Sequence, residues 1–221
     1  HRAAAVNAYA AGAQGIMYHR YYPPPRRYPY SNDDYARLRY LAYPDIMAHK
    51  DKTFYVGPGT DRGSGISFGL QEQLPQELSV GERGRDVTID ILEDIAIKAQ
   101  DGELWRCELR IMLEEMLHHD EVKVFWNEQE VPEENIRKAD HVFQMRETSR
   151  ARGYRLHIDL RQVSLPLQGT NLLRVDLIKK DEKLIMPIKI SDVDIAIEYL
   201  PGRNQLRDSE TYEGAAIPFT P

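Results

Sequence analysis

A hydrophobic residue recurs at every second position through six separate segments, and this period of two limits what the chain can fold into more than any other feature. Val87, Ile89 and Ile91 alternate with Thr88 and Asp90. Trp105, Cys107, Leu109, Ile111 and Leu113 alternate largely with Arg106, Glu108 and Arg110, while Val122, Val124 and Trp126 flank Lys123. Tyr154, Leu156, Ile158 and Leu160 alternate with Arg155, His157 and Asp159. Leu173, Val175 and Leu177 do so with Arg174 and Asp176, and Val193, Ile195, Ile197 and Tyr199 with Asp194 and Glu198. Successive side chains of a strand point to opposite faces, so each run hides one face and wets the other. Parallel sheets are covered on both faces and read as continuous apolar runs with helices between them, so this pattern is antiparallel. Two sheets packed face to face bury both apolar faces. The expected fold is therefore mainly β, an antiparallel β-sandwich of jelly-roll-like form over residues 75–200.

The N-terminal quarter reads differently. Arg2 to Ala13 is rich in helix-favouring alanine, with Gly12 and Gly15 placed to end a helix. The apolar and aromatic run Gly15-Ile16-Met17-Tyr18-His19 reads as a buried strand. Pro23, Pro24, Pro25 and Pro29 then forbid both helix and ladder. Ser31, Asn32, Asp33 and Asp34 supply caps for a helix through Tyr35, Leu38 and Leu41 that Pro44 interrupts. The expected organisation is a helix–strand–loop–helix segment over 1–56 and a Gly-rich linker with a first strand over 57–74. The sandwich follows over 75–200, and a tail over 201–221. The chain opens at once on an apolar helix from His1, as a piece cut from a longer protein would.

Charge excludes several partner classes. A net charge of −6, from 29 basic and 35 acidic side chains, gives no bulk attraction to phosphate backbones, so nucleic acid is not an expected partner. No apolar run approaches the roughly 20 residues that span a bilayer, and no signal-peptide order is present, so no membrane insertion is expected. A lone Cys107 excludes an intramolecular disulfide and leaves the compartment, exported or cytoplasmic, open.

Candidate chemistry is sparse. Tyr18, His19, Arg20, Tyr21 and Tyr22 follow the N-terminal strand. Their rings and donors suit sugar stacking and hydroxyl recognition, but packing at a former domain interface is the stronger reading, because the segment is too short to close a barrel. The tyrosines and arginines between Tyr18 and Tyr43 could form a platform for single strands, but prolines break any sheet there. His118-His119-Asp120-Glu121 carries ligand-type atoms, yet neighbours on a strand or turn diverge, so a solvated turn is the expectation and no metal is assigned. Acidic pairs such as Glu114-Glu115, Glu133-Glu134 and Asp33-Asp34 are expected by chance among 35 acidic residues. Trp105 and Trp126 offer a stacking platform or, being in phase with apolar positions, two core residues; Trp126 is carried as a candidate sugar-binding residue. Cys107 is in phase with Leu109 and Ile111, as a buried thiol would be. No catalytic residue and no cofactor is assigned.

The run Ala10-Ala11-Gly12-Ala13-Gln14-Gly15-Ile16-Met17-Tyr18, the proline loop, a helix and Asp51-Lys52-Thr53-Phe54-Tyr55-Val56 follow one another in order. This order resembles the last βα unit of bacterial glycoside-hydrolase-like (β/α)8 barrel proteins. There, an "AAGADGIYLFNYF" type strand precedes a "DKTYVV" type exit, and a β-sandwich often follows. The resemblance implies that Tyr18, His19 and Tyr21 lie near a barrel rim and that the acid/base carboxylates lie on strands this chain lacks. It also implies that the partners are the rest of the parent barrel and carbohydrate. Two other readings stay open: an independent carbohydrate-binding module, and a structural jelly-roll assembly protein with residues 1–56 as an arm.

Overall fold

The computed structural model describes residues 2–17, 38, 40–57, 73–142, 152–181 and 185–200. The alanine-rich segment forms helix α1 (Arg2–Ala10). Gly12 ends it at φ +95°, where a side chain would be strained. The Gly12 N–H donates to the Tyr9 carbonyl and the Ala13 N–H to the Ala8 carbonyl, both at 2.9 Å, closing the last turn. Residues 15–17 lie outside any strand and Met17 is 88% exposed; the rest of the expected N-terminal strand and the proline loop lie outside the described residues. Pro44 opens a helix rather than interrupting one. It starts α2 (Pro44–Met47), where its fixed φ and missing N–H cost nothing.

All six alternating segments are strands, and every strand pairing is antiparallel. The first sheet runs β1 (Lys52–Val56), β10 (Lys189–Tyr199), β4 (Leu104–Glu114), β8 (Arg152–Asp159) and β7 (Ile136–Val142), and β2 (Gln76–Glu77) also pairs with β10. The second sheet runs β3 (Val87–Ile91), β9 (Gly169–Lys179), β5 (Glu121–Trp126) and β6 (Gln129–Glu130). A short helix, α3 (Ile95–Gln100), links β3 to β4; the Asp94 carboxylate caps it by accepting from the Ile97 N–H at 3.0 Å.

The alternation delivers one common core. Cys107, Leu109, Ile111, Leu113, Leu156, Ile158, Val193, Ile195 and Ile197 face inward from the first sheet. Val87, Ile89, Ile91, Val124, Trp126, Leu173, Val175 and Leu177 face them from the second, and all are at most 2% exposed. Two antiparallel sheets over one shared core make the arrangement sandwich-like.

Of the four strands outside the alternating segments, two are longer than two residues. In β7 the inward register positions hold Lys138 and Asp140, opposite Leu156 and Tyr154, and both side chains are exposed. Ile136 at the start of the strand packs against the main core, and the charges that follow it discourage pairing of this edge with another chain. The second is β1, from the end of the 1–56 segment, which pairs along its whole length with β10; its Phe54 stands opposite Ile195 and joins the main core. Segments on both sides of the boundary expected near residue 57 thus contribute to one sheet and one core.

Candidate functional site

Of the residues expected to touch sugar, Tyr18, His19, Tyr21 and Tyr22 lie outside the described residues. Trp126 is fully buried between the sheets, and its indole Nε1–H donates to the Ser164 carbonyl at 3.1 Å, so it presents no stacking surface. That burial corrects the candidate binding role: a ring in phase with Val124 must face inward. Trp105 breaks the same rule in the other direction. It falls at the register shift between the Glu198–Arg106 and Tyr199–Leu104 pairs, an irregularity that takes it out of the strand's phase, and it is 50% exposed. The Cys107 thiol is buried, and burial together with the nearby Asp159 charge pushes its pKa up to about 12, which keeps it protonated and inert.

His118 and His119 sit in the turn between β4 and β5 as expected. The neighbouring Asp120 is a buried tie: its two oxygens accept from the Leu117 N–H at 2.5 Å and the Asp181 N–H at 2.7 Å. Among the described residues no group of three or more His, Cys, Asp or Glu side chains is placed to hold a metal ion. Among them, too, no helix is long and apolar enough to cross a membrane.

The outward face of the second sheet has a shallow depression lined by Arg83, Asp86, Phe125, Glu128, Leu172 and Arg174, with room for little more than one water molecule. Because Val124 and Trp126 point inward, Phe125 between them must point out. The Arg174 guanidinium stacks 4.0 Å from the centre of its ring. Asp176 fixes both walls through one oxygen, which accepts from Arg174 Nε at 3.1 Å and from the Gly84 N–H at 2.8 Å. The Gly84 contact pins the loop that carries Arg83 and Asp86, themselves ion-paired at 3.2 Å. No side chain fits at Gly84, since a Cβ there would lie 2.1 Å from the Val175 carbonyl oxygen. The far rim is the two-residue turn from β5 to β6, in which Asn127 and Glu128 both adopt left-handed backbone, φ 48° and 70°. Asn127 anchors it by donating to Asn171 Oδ1 and accepting from the Leu172 N–H, both at 2.9 Å.

The outward face of the first sheet carries a lattice of opposite charges. Arg110 donates to Asp194 at 2.5 Å, Arg155 to Asp192 at 3.1 Å, and Arg106 to Glu198, while Glu108 lies 3.2 Å from His157 and within 4 Å of Arg106 and Arg137. Burial raises the Glu108 pKa, but the hydrogen bond and charge of His157, with Arg106 and Arg110, outweigh it and leave the carboxyl below its ordinary value. For Asp194 burial wins over Arg110 and the carboxyl is held above its ordinary range. Opposite charges face one another across the strands, as in a cross-strand ladder, with Arg155 Nε left buried without a partner.

A third polar cluster joins the N-terminal helix to the sandwich. The Asn7 carboxamide donates to the Asp90 carbonyl at 2.6 Å and accepts from the Leu92 N–H at 3.0 Å, continuing the ladder of β3 with a side chain. Arg2 donates to the Asp51 carbonyl at 3.2 Å, and Asp51 accepts from the Tyr199 N–H at 2.9 Å. Beside it, Lys52 is buried against Glu93 at 3.0 Å with the Tyr199 ring 4.7 Å away; burial lowers its pKa although Glu93 opposes that. The spacing of these residues in sequence, 83 and 85 positions for Asn7 alone, left no local signal.

No model of a known protein family matches the chain, and no curated protein matches it.

Proposed function

We propose that this chain is the C-terminal accessory region of a glycoside-hydrolase-like barrel protein, non-catalytic in itself, whose jelly-roll-like sandwich is braced against the segment before it. The observation that carries this reading is the docking of α1 onto β1 and β3 through Asn7 and Arg2. Polar side chains committed to backbone groups of another element fix an orientation, which a flexible tether would not need. The chain also passes repeatedly between the sheets, from β3 to β4 to β5, from β6 to β7 and from β8 through β9 to β10, in keeping with a jelly-roll-like course. Glycoside hydrolysis needs two positioned carboxylates flanking the bond, and the paired acids described above are engaged by arginines and histidine instead.

Scanning calorimetry of the chain should give one unfolding transition, and aryl glycosides and oligosaccharides should not be turned over. Two separated transitions, or hydrolysis that follows the protein through purification, would defeat the reading.

A further inference from the structure

We propose that residues 2–57 form an arm that docks on a second copy of this chain through the same contacts it makes on its own sandwich, so that two chains exchange arms. The arm has a small core of its own. Ala5, Leu41 and Met47 are buried together, with Val6, Tyr9 and Tyr40 packed around them. Among the described residues, the main core takes only Ala3, Phe54 and Val56 from this segment. Apolar packing therefore divides the chain into two bodies that meet near β1.

What joins the two bodies has the form of a recognition site. β1 adds to the edge of β10 from Lys52 opposite Ile197 to Val56 opposite Val193, and Phe54 plugs into the main core across from Ile195. Adding a strand to an open edge, with alternate side chains entering pockets, is a recurring way for one chain to recognise another. Three side chains fix the fit. Lys52 is buried against Glu93 at 3.0 Å, the Asp51 carboxylate accepts from the Tyr199 N–H at 2.9 Å, and Asn7 bridges the Asp90 carbonyl and the Leu92 N–H on the flank of β3. Without the arm, β10 presents a bare edge from Val193 to Ile197.

The occupant that fits such an edge is another copy of the same arm. It must present an ammonium for Glu93, an apolar ring two residues later to cover Ile195, and a helix carrying a carboxamide for β3. Lys52, Phe54 and Asn7 meet those three demands together. Chain length permits the exchange, since the stretch from Gly57 to Pro75 can reach roughly 60 Å when extended, about twice the diameter of a small domain. The contacts are the same within one chain and between two, so concentration decides between them. The tether gives the arm an effective concentration on the order of 1 mM at its own sandwich, and exchange competes once chains fold together near that concentration.

The inference rests on the bracing of the arm and not on the accessory role, which glycoside turnover would sink by itself. The test uses the full chain with a protease recognition sequence inserted after Gly65, in isotope-labelled and unlabelled forms. The two forms are unfolded in urea together and refolded at about 1 mM and, in parallel, at about 10 µM. Light scattering should give twice the mass at the higher concentration. After cleavage, native mass spectrometry should find labelled arms on unlabelled bodies at the higher concentration, and about tenfold fewer or less at the lower. Unmixed pairs alone at both concentrations overturn the inference. So does a dimer that keeps its mass after cleavage, since in an exchanged dimer only the cut tether joins the two bodies, and so does release of free arms.

Discussion

At the scale of single residues, Glu108 shows how a strand's wet face becomes ordered. Its carboxylate meets His157 across the β4–β8 pair and takes charge from Arg106 and Arg137. Because its folded pKa is below the ordinary 4.5, the folded state holds this proton less tightly than the unfolded chain does. The stabilisation it gives is therefore complete above 4.5 and is lost as pH falls through the depressed folded value. Glu108→Gln should lower stability at neutral pH by about 1 kcal/mol and flatten the acid limb of a plot of melting temperature against pH. A variant whose acid limb matches wild type would show that the carboxylate contributes nothing. The two tryptophans carry the lesson of burial at this scale. Strand phase placed both inside, but phase only says which side of the sheet a residue is on. It holds only while the ladder is regular: it carries Trp126 inside, whereas the register shift between the Glu198–Arg106 and Tyr199–Leu104 pairs falls at Trp105 and leaves that ring half exposed.

At the scale of elements, the sheets hold together at places where backbone must touch backbone. Gly153, at the start of β8, stands opposite Glu114 of β4, and a Cβ there would lie 1.9 Å from the Leu113 carbonyl oxygen. Gly153→Ala should therefore push β8 away from β4 at that end and destabilise the fold by about 1–3 kcal/mol, read by urea denaturation. An unchanged midpoint would mean the strand end moves freely. Edges are handled by side chains. On the open flank of β3, the Gln73 carboxamide accepts from the Thr88 N–H at 2.6 Å and donates to the Thr88 carbonyl at 3.2 Å, standing in for a neighbouring peptide. The six alternating strands were legible because half-burial writes itself into sequence with period two. β7 was not, since Lys138 and Asp140 take the inward positions after Ile136 and break the apolar period at this edge. The pairing of β1 with β10, in which Phe54 stands opposite Ile195, was equally silent, as pairing across 141 positions leaves no local trace.

At the scale of the whole molecule, the N-terminal helix is bound to the sandwich by specific polar contacts rather than by a large apolar face. Asn7→Ala removes both a donor and an acceptor and leaves the Asp90 carbonyl and Leu92 N–H without that partner. It should lower stability by roughly 1–3 kcal/mol and shift the single calorimetric transition as a unit. If a second, earlier transition separates instead, α1 is an independent appendage. By itself the sequence determined the antiparallel strands, the inward set of residues and the helix ended at Gly12, because each follows from periodicity or from the conformations open to one residue type. Only the tertiary structure decided that residues before and after position 57 share a sheet, that Trp105 falls at a bulge and is half exposed, and that Asp176 ties Arg174 to the Gly84 loop. Those outcomes depend on which distant strands meet and where their ladders shift register, and neither quantity is encoded within a local stretch of chain.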